Sequence, residues 1–248
     1  MQVSTLSGAA GSRTGRRRRV NHDVAHLGLG PLLAVVADGL GSSPGSAHAS
    51  RTAVELLIGH AGGGVDGLRA AVVAAHERAA THAAGNTTFA GCALTALAEC
   101  ADGFWVVHLG GSRLYRLRRG LLELLTADHT MAWLDTVHSP PPFGPPATNP
   151  TRRHLTRYVG HFDRPAPDLL RLDVAGGDVL LLCSDGVSGQ VAHTRIAEVL
   201  GSPGAPEAMV ATLLADAEAA GGEDNATAVV VRADRHAPAG TPPQLSRR

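Results

Sequence analysis

The 248 residues are 44% hydrophobic and 18% charged, with a mean hydropathy of +0.04, which is the composition of a folded globular domain and excludes a disordered or fibrous chain. Twenty-two basic residues, all of them arginine, balance twenty-two acidic ones, which argues against nucleic acid or a membrane surface as partner, because both are held by an excess of positive charge. No apolar run approaches the ~20 residues of a membrane span. The arginines from Arg16 to Arg19 are followed by Asn21, His22 and Asp23 instead of an apolar leader segment, and Cys92, Cys100 and Cys183 show neither disulfide nor metal spacing. A reducing, cytoplasmic setting is the expectation.

In chain order, Leu32 to Ala37 is a short apolar run that reads as a strand and ends on Asp38-Gly39. Two Ala-rich helical patterns follow, Ala47 to His60 and Val65 to Ala84, with Val54, Leu57 and Ile58 at helical spacing on one face. Phe104 to Leu109 and Ser112 to Leu117 read as strands, and the link between them is too short for a crossover helix, so an antiparallel hairpin is expected. Arg118-Arg119-Gly120 reads as a second turn. The segment from Val137 to Asn149 holds five prolines, which predicts neither helix nor central strand but a loop or flap at about 137–150. Val179 to Cys183 is a further strand, His193 to Leu200 and Pro206 to Ala220 form a second helix pair, and Ala226 to Val231 is the last strand. Helix pairs separated by antiparallel strands define an α+β layered domain, with residues 1–236 as one unit and a disordered tail at 237–248.

Four aspartates flank these strands. Asp23 precedes the first of them, Asp38 closes Leu32 to Ala37, Asp185 follows Val179 to Cys183, and Asp224 opens Ala226 to Val231. Carboxylates held at strand ends project beyond a sheet, and their hard oxygens suit Mg²⁺ or Mn²⁺. Each Asp-Gly pair taken singly is equally a turn signal.

The order and context of these pieces resemble the metal-dependent protein phosphatases of type 2C. The resemblance rests on Arg18-Arg19-Val20-Asn21-His22-Asp23, Val36-Ala37-Asp38-Gly39-Leu40-Gly41-Ser42 and Ala49-Ser50-Arg51. It continues through His108 to Tyr115, Leu125 to Thr130, Leu155 to Gly160, Leu182 to Val187 and Asp224 to Thr227. It implies a four-layer α-β-β-α sandwich of two antiparallel sheets flanked by helix pairs. It also implies a binuclear Mn²⁺ or Mg²⁺ centre that activates water, with Asp38, Asp185, Asp224 and the Gly39 carbonyl as ligands. Asp23 would serve the second metal directly or through its water, and Arg18 would clamp the phosphate. Arg16 and Arg17 read as solvated charge.

Four residues depart from the family pattern. His22 stands where the family has Glu, Gly111 replaces an Asp that helps bind a third metal, and Ser42 and Cys92 replace a loop Gly and a strand Thr. The Gly111 substitution implies a weak or absent third site, His22 implies lower metal affinity, and the other two read as structural. The expected activity is hydrolysis of phosphoserine and phosphothreonine in proteins, opposing a Ser/Thr kinase. The alternatives are a pseudophosphatase that binds phosphoproteins and a phosphatase of small phosphomonoesters.

Overall fold

The computed structural model describes residues 3–138 and 154–235. Ten strands are present: β1 Val3–Arg13, β2 Val24–Leu29, β3 Leu32–Gly39, β4 Cys92–Cys100, β5 Gly103–Leu109, β6 Arg113–Arg118, β7 Leu121–Leu124, β8 Asp168–Leu172, β9 Val179–Cys183 and β10 Ala226–Arg235. They form two five-stranded sheets, ordered β1-β10-β9-β6-β7 and β2-β3-β4-β5-β8, in which every pairing is antiparallel. Helices α1 (Pro44–His60) and α2 (Gly64–Asn86) are joined by a 3₁₀ turn at Ala61–Gly63. Then come α3 (Met131–His138), α4 (Asp185–Ser188), α5 (His193–Gly201) and α6 (Pro206–Ala219).

The near-continuous apolar runs of β3, β9 and β10 follow from burial on both faces. Leu32, Ala34 and Val36 of β3 meet Leu180, Leu182, Val229 and Val231 between the sheets. The alternate residues Leu33, Val35 and Ala37 pack outward on Val54 and Leu57 of α1 and Leu68 and Val72 of α2. On the other outer face Leu181, Cys183 and Val230 meet Val199 and Leu200 of α5 and Met209 and Leu213 of α6. This is the α-β-β-α order implied by the resemblance. Among the described residues no helix is long and apolar enough to cross a membrane.

Two expectations need correction. β5 and β6 do not form a hairpin: β5 is already flanked by β4 and β8, so neither of its edges is open. The chain crosses at Gly110 (φ +126°) into the other sheet, where β6 pairs with β9 and β7. Val137 and His138, expected in the proline-rich loop, instead close α3, because the first proline comes only at Pro140. The rest of that flap and the tail at 237–248 lie outside the described residues. The Arg118-Arg119-Gly120 turn does form a hairpin, with Arg119 and Gly120 both at positive φ between the paired Arg118 and Leu121, the geometry that matches strand twist.

β3 and β9 run toward the same end of the sandwich as the start of β10, so Asp38, Asp185 and Asp224 emerge together there. Residues preceding β2 reach the same end. Ser184, after β9, donates to Asp23 across the gap between the sheets at 2.9 Å.

Candidate metal centre

The two Asp-Gly pairs at this end are not turns. Neither Gly39 nor Gly186 has positive φ; each is glycine because another chain segment lies against it. A Cβ on Gly39 would stand 2.7 Å from His22 Cβ, and one on Gly186 would stand 1.9 Å from the Asn225 carbonyl oxygen. Asp38 and Asp185 are thereby drawn close to the segments that carry Asp23 and Asp224.

Asp23 is buried. Its Oδ2 accepts from Ser184 Oγ at 2.9 Å and Thr227 Oγ1 at 2.7 Å, while Thr227 is itself held through Ser12 Oγ and its own N–H to Ser184 Oγ. Burial pushes the Asp23 carboxyl up to about 6, against the opposing pull of the Thr227, Ser184 and Asp38 hydrogen bonds. Asp38 retains some accessible surface, yet its carboxyl is raised further: burial comes first, then the charges of Asp23, Asp185 and Asp224. The Asp38 and Asp23 carboxyls are in hydrogen-bond contact, and both are raised because they are buried side by side.

Arg18 supplies the compensating cation. Its Nη2 donates to Asp224 Oδ2 at 2.5 Å, and Nη1 reaches Ser42 Oγ at 3.4 Å; the Asp224 bond raises its pKa. Its Nε is buried with no acceptor among the described residues. The turn that carries Arg18 is closed by Arg18 N–H to Gly15 O at 2.9 Å and pinned by Asn225, whose side chain accepts from Gly15 N–H and donates to Val20 O, both at 3.2 Å.

Asp38, Asp185 and Asp224 act on Arg18, and Asp23 adjoins Asp38, so among the described residues four carboxyl groups gather beside this guanidinium, a surplus of acid that suits divalent cations. Every donor is a hard oxygen, which suits Mg²⁺ or Mn²⁺. Among the described residues, no three His, Cys, Asp or Glu side chains stand in a closed ligand set, since Asp38 is turned on Asp23 and Asp224 on Arg18. A bound cation would replace those bonds.

Other side chains beside the site have partners and settings of their own. His22, read as lowering metal affinity, gives its Nδ1–H to the Gly41 carbonyl at 3.2 Å and fixes the loop after β3. Ser42, read as structural, touches Arg18. Asp128 is occupied by the fork of Arg113, at 2.9 and 2.6 Å. Cys183 is fully buried and its thiol is pushed up to about 12 by that burial, so it is no nucleophile. Ser184, Thr227 and Asn225 lie inside the quoted motifs, but their roles depend on contacts that no local pattern reveals.

Comparison with known proteins agrees with this architecture. The profile of the family described as Protein phosphatase 2C matches residues 8–220, and the chain belongs to that family. The serine/threonine protein phosphatase PstP of Mycobacterium tuberculosis is 32% identical over 232 residues, covering 90% of this chain and 44% of that protein. The chain thus spans less than half of PstP's length. Protein phosphatase PhpP of Streptococcus pneumoniae is 27% identical over 242 residues, covering 93% of this chain and 97% of its own. A crystal structure of the PstP catalytic domain in complex with two manganese ions superposes with a TM-score of 0.79 at 30% identity, covering 93% of this chain and 99% of that one.

Proposed function

We infer that this chain is a metal-dependent phosphatase of phosphoserine and phosphothreonine in proteins. The observation that carries the reading is the convergence of Asp23, Asp38, Asp185 and Asp224 beside Arg18, whose buried Nε has no acceptor among the described residues. Membership of the 2C family and the likeness to PstP support it.

In this reading Asp38, Asp185, Asp224 and the Gly39 carbonyl hold two Mn²⁺ or Mg²⁺ ions, with Asp23 at the second. Such a pair, when bound, supplies the Lewis acidity that activates water and steadies the leaving oxygen. The chain's own residues do the rest. Ser184 and Thr227 orient Asp23 and favour its ionised form, because their hydrogen bonds go to the carboxylate. Arg18, already charged and aimed at Asp224, binds phosphate oxygens with Nε and its terminal nitrogens. Before any cation binds, Asp224 keeps the guanidinium extended.

Gly111 offers no side-chain oxygen, so a third ion is held weakly or not at all. Among the described residues a Cβ there would meet Leu155 Cδ2 alone, at 3.3 Å, the end of a flexible side chain that can give way to Gly111→Asp. That variant should lower the Mn²⁺ concentration for half-maximal rate by about threefold. An unchanged titration would remove the role assigned to Gly111.

The substrate proposed is a phosphorylated protein, and the functional counterpart is a Ser/Thr kinase or its targets. A reducing cytoplasm suits the three free cysteines, two of them buried. The deciding experiment is turnover of an aryl phosphate and a phosphothreonine peptide with Mn²⁺ and with chelator. Activity on both that vanishes with chelation supports the reading. Activity that survives exhaustive chelation defeats it.

A further inference from the structure

Behind Asp224, on the side facing α6, lies a cavity of about 210 Å³. Its apolar floor is Leu214, Ala217 and Ala226, all buried. Its mouth is Arg13 and Arg16, both exposed, and the half-buried Glu218. Apolar cavities of roughly 150 Å³ accept a benzene ring, so this one has room for a ring and a short substituent.

The mouth determines which substituent. Arg13 Nη1 bonds Glu218 Oε2 at 2.9 Å, and Arg16 Nη2 stands 3.4 Å from Oε1 of the same carboxylate. Two guanidiniums share one carboxylate, which leaves one positive charge in excess. The longer Arg16 contact is the weaker, so Arg16 is the group free to turn toward another acceptor. Asp224 also lines the cavity, but its carboxylate is engaged by Arg18 and by Asn225 N–H at 2.8 Å.

The walls carry the coupling. Gly15 packs directly on Asp224, where a Cβ would fall 2.3 Å from the Asp224 carbonyl oxygen. Gly15 O also closes the turn that presents Arg18. An occupant that draws Arg16 inward therefore pulls on the segment that aims Arg18 at Asp224.

We propose that this cavity is a regulatory site for a small monoanionic carboxylate bearing one apolar ring, and that its occupancy alters phosphate binding at Arg18. The regulatory half rests on the phosphatase reading; the binding half does not. The probe is phenylacetate, with neutral phenylacetamide as its control, added to the full-length chain in Mg²⁺ and followed by methyl NMR.

Phenylacetate should shift the Leu214 and Ala217 methyls with a Kd on the order of 1 mM, as ligand efficiency allows for its size. The amide should bind about fivefold more weakly, and Arg16→Gln should erase that difference. Saturating phenylacetate should raise KM for an aryl phosphate about twofold in the wild type and leave it unchanged in Arg16→Gln. Absence of shifts at Leu214 and Ala217, shifts confined to Val36 and Ala37 beside Asp38, or equal binding of acid and amide would each overturn the site. If the methyls shift as stated but KM does not respond, binding stands and the regulatory half falls. If no phosphate turns over at all, the methyl titration still decides the site.

Discussion

The two ends of β9 treat buried carboxylates in opposite ways. At the N-terminal end Asp178, 1% exposed, is gripped by the Arg118 fork at 2.7 and 2.6 Å and by Ala175 N–H at 2.9 Å. Burial alone would raise its pKa, but Arg118 more than offsets this and the net direction is down. At the C-terminal end Asp23 is comparably buried, at 8%, yet its side-chain partners are the hydroxyls of Ser184 and Thr227 and the acid of Asp38, and its carboxyl rises to about 6. Little of either residue is exposed, but Asp23 lies deeper among other groups than Asp178, and the charge of the partner differs as well. One end is a closed structural pair, and at the other the described partners of Asp23 are hydroxyls and a second carboxyl, with no arginine among them.

The largest expected effect tests whether the open end is catalytic. Asp38→Asn and Asp185→Asn should each lower kcat/KM on an aryl phosphate about 10³-fold, with the circular dichroism spectrum unchanged. Near-normal rates in both would place these residues outside the chemistry. At the closed end, Arg118→Ala strands the buried Asp178 charge and should cost about 3–4 kcal/mol in urea unfolding, with kcat per folded molecule unaltered. A loss below about 1 kcal/mol would mean that Asp178 is reached by water and that the contrast is weaker than drawn.

Asp23 sharpens the comparison through pH. Its folded pKa lies above the unfolded value, so the stabilisation it brings is complete below about pH 4 and is lost as pH rises through about 6. In chelator, the stability of Asp23→Asn relative to wild type should therefore grow by about 1–3 kcal/mol between pH 4 and pH 7. With Mg²⁺ the trend should reverse, because the cation favours the ionised carboxylate that Asn lacks. A pH-independent difference would contradict the raised pKa. The smallest effect concerns the guanidinium bonded to Asp224 at the open end: Arg18→Ala should raise KM about tenfold, and Arg17→Ala, paired at the surface with Glu223, should change it less than about twofold. Equal effects would reduce the arginine run to a diffuse positive patch.

The strands read from sequence are mostly central ones, β3, β5, β6, β9 and β10. The strands left unread include β1, β2, β7 and β8, which are the four sheet edges. An edge strand has one neighbour and a half-covered face, so its apolar pattern is weak. β1 reads as Ser, Gly and Ala as much as apolar residues, and only pairing with β10 makes it a strand. The hairpin expected between β5 and β6 failed for a related reason, because a short link specifies antiparallel direction but not which sheet has an open edge.

At the site, the residue types were legible. Asp23, Asp38, Asp185, Asp224 and Arg18 each stand at a strand end or in a motif, and the chemistry of hard oxygens and a planar guanidinium follows from their identity alone. Their environment was not. Ser184 and Thr227 lie 161 and 204 residues from the carboxylate they hold, and the excess of negative charge exists only because the two sheets bring their ends together. Sequence by itself determined which groups this protein brings to its chemistry and the family to which it belongs. Tertiary structure decided which carboxylates are neutralised by arginine and which stand unneutralised, because burial and Coulomb interaction depend on distances across the sandwich that no local pattern encodes.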